Sequence, residues 1–187
     1  DLCLLNPYCF VFFMPLFILK HIISPSCDDE SFTAANLNWA YIEFHTTDDS
    51  SPAAGSIQLD LIGQSWWHDV TWNRAHPFTN EGAWVTAGGT VDTSQSFDPN
   101  CTNLQGGQTC GTGEVKFDMT DYLSNLLDNP NSTHFGLRLS FPNDQAEVQF
   151  YSSQSGNSER PQLVANYNCV STNSTTTNRF YLGTPLD

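Results

Sequence analysis

Hydrophobic and polar residues alternate in several short stretches of the chain, which is the pattern of β-strands with one buried face. The clearest stretch is at residues 57–61, where Ile57, Leu59 and Leu61 are separated by polar side chains. Residues 37–44 carry apolar side chains on both faces, which predicts a strand covered on both sides. Further short strands are predicted at residues 70–72, 84–91, 114–119, 135–141, 148–150 and 163–167. Short strands separated by turn signals predict an all-β sandwich.

One stretch has the periodicity of a helix instead. The apolar side chains of residues 121–127 fall on one helical face, and Thr120 is placed to cap the N-terminus of that helix. Residues 92–113 are mostly polar and contain glycine, which predicts a long loop. The sequence therefore predicts one short helix within the sandwich.

The most apolar part of the chain is its N-terminal segment, since residues 2–19 contain no charged side chain. A signal peptide would need a basic beginning and would be removed. A membrane-spanning helix needs about 20 apolar residues, and Pro7 and Pro15 interrupt this run. We therefore favour one or two apolar strands buried against protein, with a signal peptide or a membrane anchor as the alternatives. The residues assigned to this apolar segment are Phe10, Val11, Phe12, Phe13, Leu16, Phe17, Ile18 and Leu19.

The C-terminal tail, residues 169–187, is rich in Ser, Thr and Asn as far as Asn178. This composition predicts a disordered or glycosylated stalk, or a tail that rests on a neighbouring subunit. The chain thus divides into an apolar N-terminal segment with its connector at residues 1–35, a sandwich at residues 36–168, and the tail.

Charged residues make up only 14% of the chain, and the formal net charge is −14. Six Lys and Arg side chains are scattered along the sequence and cannot follow a phosphate backbone. Nucleic acid is therefore not expected as a partner, and acidic membrane surfaces are disfavoured for the same reason.

The chain has six cysteines and no CxxC pair, which disfavours a zinc ribbon or a thioredoxin-like motif. An even number of cysteines in a polar, acidic chain favours disulfide bonds and an extracellular or cell-surface location. Six cysteines allow 15 pairings, among which the sequence does not choose. Cys101 and Cys110 bracket a glycine-containing loop and are the easiest pair to join, and free buried thiols are the alternative.

Three sequons place candidate N-glycosylation sites at Asn100, Asn131 and Asn173. Each lies in loop-like sequence, as expected for a glycan acceptor in a secreted protein. The alternative is chance occurrence in a chain rich in Asn and Thr.

Motifs of enzymes are missing from the sequence, including those of zinc proteases, serine hydrolases and nucleotide-binding loops. His68 beside Asp69 could be oriented as a base, but a structural turn is the better interpretation. Acidic residues 28–30 and 48–49 could offer oxygen ligands to Ca²⁺, yet they lack the spacing of an EF-hand, which favours solvated loop acids. We therefore expect a non-enzymatic protein that needs no cofactor.

Several short segments, taken together, resemble one known family. They are WWHDVTWN at residues 66–73, VKFDMTDYL at 115–123, FGLRL at 135–139, FYSS at 150–153 and RPQLVANY at 160–167. Their order and spacing resemble the DNRLRE-type domain over about residues 36–167. The resemblance implies a secreted, jelly-roll-like β-sandwich related to carbohydrate-binding modules. It also implies that Trp72 and one member of the pair Trp66 and Trp67 pack in the core. Trp84 and the other member of that pair, which we take to be Trp66, remain as candidates for stacking on sugar rings, with core packing as the alternative.

Domains that resemble this family usually begin with polar strands, whereas here the corresponding place holds the apolar residues 2–23. Missing strands would leave an open sheet edge, which an apolar strand from the same chain or from a neighbour could fill. Strand addition between subunits builds a filament when the rotation that relates one subunit to the next does not close into a ring. We therefore expect a self-assembling extracellular structural subunit, whose partners are copies of itself. The alternative is a carbohydrate-binding module of a larger secreted or cell-surface protein, with glycans as partners.

Overall fold

The computed structural model describes residues 33–47, 57–65, 82–83, 85, 89, 91–97, 104–129, 136–140, 148–151, 158–169 and 173–182. Within them the strands and the α-helix occur in the order β1 (Leu37–His45), β2 (Gln58–Ile62), β3 (Val91–Phe97), β4 (Glu114–Asp118), α1 (Thr120–Asp128), β5 (Leu137–Ser140), β6 (Gln162–Cys169) and β7 (Ser174–Tyr181). The predicted apolar segment at residues 10–19 lies outside the described residues.

The strands form two sheets, one with the order β4-β1-β6-β7 and the other with the order β3-β2-β5. Every pairing between these strands is antiparallel. The prediction of an all-β sandwich is therefore confirmed. We refer below to the four-stranded sheet and the three-stranded sheet.

The hydrophobic core lies between the two sheets. On β1, Ala40, Ile42 and Phe44 face the core, because alternate side chains of a strand point to the same side. The ring of Phe44 meets that of Phe117 edge to face, with centroids 5.9 Å apart. The other strands contribute Leu59, Leu61, Val115, Phe117, Leu137, Leu139, Leu163 and Ala165.

Helix α1 adds Leu123 to the core, and its Tyr122 meets Phe97 of β3 with ring centroids 5.7 Å apart. The predicted capping role of Thr120 is wrong, since Thr120 is the first helical residue and makes no cap. Its hydroxyl accepts a hydrogen bond from the N–H of Ala40 at 2.9 Å and donates to the Ala40 carbonyl at 3.2 Å. The side chain of Asp118 accepts the N–H of Thr120 at 2.9 Å. Thr120 therefore ties the helix to β1.

Two strands occur where the sequence predicted loop or stalk. Most of β3 falls within residues 92–113, which were expected to form a loop, and it pairs with β2. Strand β7 lies in the tail and pairs with β6 from Ser174 to Tyr181. Because of this pairing, residues 174–181 belong to the sheet of their own chain and do not form a disordered stalk. Their Thr, Phe and Tyr residues also have high β-propensity.

Candidate functional site on the outer face of the four-stranded sheet

The outer face of the four-stranded sheet carries a cluster of charged side chains. Because side chains alternate along β1, Tyr41, Glu43 and His45 point away from the core. Glu43 lies opposite Lys116 of β4, and His45 lies opposite Glu114. On the other side of β1, Glu43 lies opposite Gln162 of β6. Strand pairing therefore brings together side chains that are far apart in the sequence.

Glu43 is at the centre of this cluster and is only 2% exposed. Its Oε1 accepts a hydrogen bond from Nε2 of Gln162 at 2.5 Å. The same oxygen lies 3.0 Å from Nε2 of His45 and 3.2 Å from Nη1 of Arg179 on β7. Its Oε2 lies 3.3 Å from Nζ of Lys116. The Glu43 carboxylate thus contacts side chains from every strand of its sheet.

Lys116 links this carboxylate to a second one. Its Nζ lies 2.8 Å from Oε2 of Glu114 and donates a hydrogen bond to the Thr109 carbonyl at 2.8 Å. The same ammonium group lies over the ring of Tyr41, 5.1 Å from the centroid. We call Glu43, His45, Glu114, Lys116, Gln162 and Arg179 the Glu43 cluster.

Residues 104–113 run across the outer face beside the cluster, and we call them the covering loop. Leu104 packs against Tyr41 and Val164, and Gly106 approaches the ring of Trp39. The N–H of Gly111 donates to Oε2 of Glu114 at 2.6 Å. The covering loop therefore shields part of the cluster from solvent.

The partners of Glu114 and Lys116 shift the pKa of both groups. Burial alone would raise the pKa of Glu114, but the hydrogen bonds from Lys116 and Gly111 outweigh it and hold the pKa below its usual value. Burial would likewise lower the pKa of Lys116, yet the hydrogen bond to Glu114 and the charge of Glu43 raise it. Burial raises the pKa of Tyr41. Each shift of Glu114 and Lys116 favours the charged form, as in a stable ion pair.

Glu43, His45 and Glu114 offer ligand atoms within 4.8 Å of one another, a spacing that a metal ion could use. However, Nζ of Lys116 contacts both carboxylates and already supplies positive charge between them. A divalent cation would have to displace Lys116 and would also meet Arg179. The arrangement therefore fits an internal ion-pair cluster better than a metal centre.

The cluster is also poorly suited to proton transfer. A general acid must hold a proton near the working pH, whereas the pKa of Glu114 is lowered. Glu43 is enclosed by cationic and amide groups and is almost inaccessible to a substrate. These two carboxylates therefore lack the properties of a glycosidase pair.

At the other end of the same face lies a row of polar side chains. Nδ2 of Asn38 donates to Oδ1 of Asn166 at 2.8 Å and to Oδ1 of Asn168 at 3.0 Å. Thr175 donates to Asn168 at 2.9 Å, and Asn166 donates to Thr177 at 2.8 Å. We call these residues the Asn/Thr row. It forms a mostly exposed surface of hydrogen-bonding groups.

The three-stranded sheet has its own buried ion pair on its outer face. Asp60, 5% exposed, accepts hydrogen bonds from Nη2 of Arg138 at 2.8 Å and from Oγ of Ser140 at 3.0 Å. Nη1 of Arg138 donates to the carbonyl of Gly89 at 3.0 Å. These contacts join β2 and β5 to the chain around Gly89, so we assign them a structural role.

Few of the residues predicted as sites from sequence lie in the described part of the chain. Asn173 is exposed in the turn before β7. Cys110 and Cys169 are both disulfide-bonded, whereas Cys101 lies outside the described residues, so its pairing with Cys110 stays a prediction. The following also lie outside them: Asn100, Asn131, Trp66, Trp84, His68 and the acidic residues 28–30 and 48–49.

The Glu43 cluster was not predicted, because its members come from four strands and share no sequence motif. One signal was available. Glu43 and Lys116 are charged residues within strand-like sequence in a chain where only 14% of residues are charged.

Comparison of the chain with family models, with curated proteins and with solved structures found no match. None of the helices in the described part of the chain has the length and apolar character needed to cross a bilayer.

Proposed function

We propose that the chain is a non-enzymatic, extracellular structural subunit that assembles with copies of itself. In this proposal the apolar segment at residues 10–19 adds as a strand to a neighbouring β-sandwich, and a filament results. An extracellular location is supported by the disulfide bonds of Cys110 and Cys169. A non-enzymatic role is supported by the ion-paired state of Glu43 and Glu114.

The observation that carries the proposal is the edge of the three-stranded sheet. Strand β3 ends that sheet, and among the described residues it pairs only with β2. Its Phe97 is partly buried and packs against the core beside Tyr122. An apolar strand added along β3 would pair with the backbone of this edge and cover Phe97 further. A chain with an uncharged apolar segment and such an edge has both parts needed for strand addition.

The test is the mass of the particle in solution, with and without the segment. We expect the full chain to form oligomers or filaments by light scattering and negative-stain electron microscopy. Deletion of residues 1–26, or the single change Phe13→Asp, is expected to yield monomers, because a charge in a buried strand is strongly unfavourable.

The matched control is Ser31→Asp, which adds the same charge in the polar connector and should leave assembly intact. A monomeric full chain, or a deletion variant that remains assembled, would contradict the proposal.

A second candidate is a carbohydrate-binding module, which the Asn/Thr row favours. Exposed amide and hydroxyl groups on a sheet face can form hydrogen bonds with sugar hydroxyls. Trp84, the stacking candidate predicted from the sequence, lies outside the described residues, so its position relative to the Asn/Thr row stays a prediction. Under this proposal the chain binds a glycan on an array, and Asn168→Ala weakens that binding about tenfold, a loss of about 1.4 kcal/mol. An array without any bound glycan would exclude it.

A further inference from the structure

The turn between β6 and β7 presents a sequon in an accessible position. The last pair of the two strands is Cys169 with Ser174, so Asn173 lies just beyond the ladder. Asn173 is exposed and has a φ of 48°, a left-handed conformation that Asn adopts more readily than most residues. Asn173 is therefore a solvent-exposed residue beyond the end of the ladder, where its side chain is accessible among the described residues.

The third residue of the sequon is also on the surface. Thr175 is exposed on the outer face, and its hydroxyl donates to Asn168 at 2.9 Å. In the folded hairpin this hydroxyl is thus engaged with a neighbouring strand. An acceptor sequon needs its hydroxyl for recognition, so modification would precede closure of the hairpin.

We propose that Asn173 carries an N-linked glycan, added in the secretory pathway from a polyprenyl-diphosphate oligosaccharide. The Asn173 amide nitrogen forms a bond with the anomeric carbon of the first sugar. The bond from that carbon to the diphosphate oxygen breaks, polyprenyl diphosphate leaves, and the amide loses one proton. The inference rests on the extracellular location proposed above and on no part of the self-assembly.

A glycan at this position would also affect which surfaces of the domain other chains can reach. Asn173 adjoins the first residues of β7, the end strand of the four-stranded sheet. A hydrated oligosaccharide there hinders another strand from pairing along this end of β7. Strand addition would then be directed to other edges, such as β3.

The experiment is peptide mapping of the full chain secreted from eukaryotic cells. The tryptic peptide 139–179 contains a single sequon, that of Asn173. Treatment with a peptide N-glycosidase in heavy-oxygen water should convert Asn173 to a labelled Asp. Asn173→Asp, which keeps a residue that tolerates the left-handed turn, should abolish the glycan-bearing form of this peptide, as should Thr175→Val.

Two matched variants control for folding. Thr175→Ser keeps the sequon, and Thr177→Val removes a neighbouring hydroxyl outside it, so both should retain the glycan. A secreted protein whose peptide 139–179 is entirely unmodified would overturn the inference. If a variant is not secreted, the peptide map of the chain without substitutions still shows whether Asn173 carries a glycan. Light scattering on the same samples tests self-assembly separately, so the two proposals can fail independently.

Discussion

Glu43 shows how one buried carboxylate can hold a sheet together. Its two oxygens contact Lys116 on β4, Gln162 on β6 and Arg179 on β7. A buried charge is tolerated only when its partners compensate for the loss of water. The cluster and the backbone ladder therefore both specify which residues of the four strands lie opposite one another.

We predict that Glu43→Gln lowers the free energy of unfolding by about 3 kcal/mol, the usual cost of removing one partner from a buried pair. The substitution keeps the shape of the side chain but leaves Lys116, with a side chain 7% exposed, without its deeper counter-charge. Chemical denaturation of the folded domain measures the change.

The control for this prediction is Glu114→Gln, which removes the other carboxylate of the same lysine. The side chain of Glu114 is 25% exposed, so water can replace part of its contact and a smaller loss is expected. Equal losses for the two variants would show that depth of burial does not set the contribution of each carboxylate.

Among the elements, the covering loop connects the charged cluster with the apolar patch around Tyr41. At Gly106 a Cβ atom would lie only 2.3 Å from the indole ring of Trp39. Trp39 in turn stacks on Tyr41, with ring centroids 5.4 Å apart and planes 7° from parallel. The absence of a side chain at Gly106 therefore allows the loop to lie flat on the sheet.

We predict that Gly106→Ala destabilises the fold by about 1–3 kcal/mol more than Gly107→Ala, a typical range for overpacking. Both glycines have positive φ, 74° and 69°, so both substitutions strain the backbone alike. Only Gly106 faces a close neighbour, since a Cβ at Gly107 meets nothing within 4 Å. Thermal and chemical denaturation of the two variants isolates the contact with Trp39. Equal effects would mean that the loop does not press on the ring.

The elements that the sequence predicted best are those with a buried face. Strands β1, β2, β4, β5 and β6 supply apolar side chains to the core, and these apolar residues are visible in the sequence as alternation or, in β1, as apolar residues on both faces. Strands β3 and β7 lie at sheet edges and are mostly polar. Their apolar positions are too few to produce a pattern, so only their pairing with β2 and β6 identifies them as strands.

For the molecule as a whole, the two sheets follow the same plan. Apolar side chains fill the space between the sheets, while a buried ion pair lies on the outer face of each, around Glu43 on one and Asp60 on the other. The sandwich could be predicted because burial of apolar area leaves a local pattern. The ion pairs could not, because Glu43 and Arg179 are 136 positions apart and meet only through strand order.

The internal use of basic side chains has a consequence for how two molecules approach each other. Lys116, Arg138 and Arg179, half of the six cations in the chain, are in contact with acids of the same molecule. The formal net charge of each copy is −14, so two copies repel one another at long range. Dissolved salt shortens this repulsion to a Debye length of about 8 Å at physiological ionic strength. Any attraction between copies has to act within that distance, through surfaces that touch.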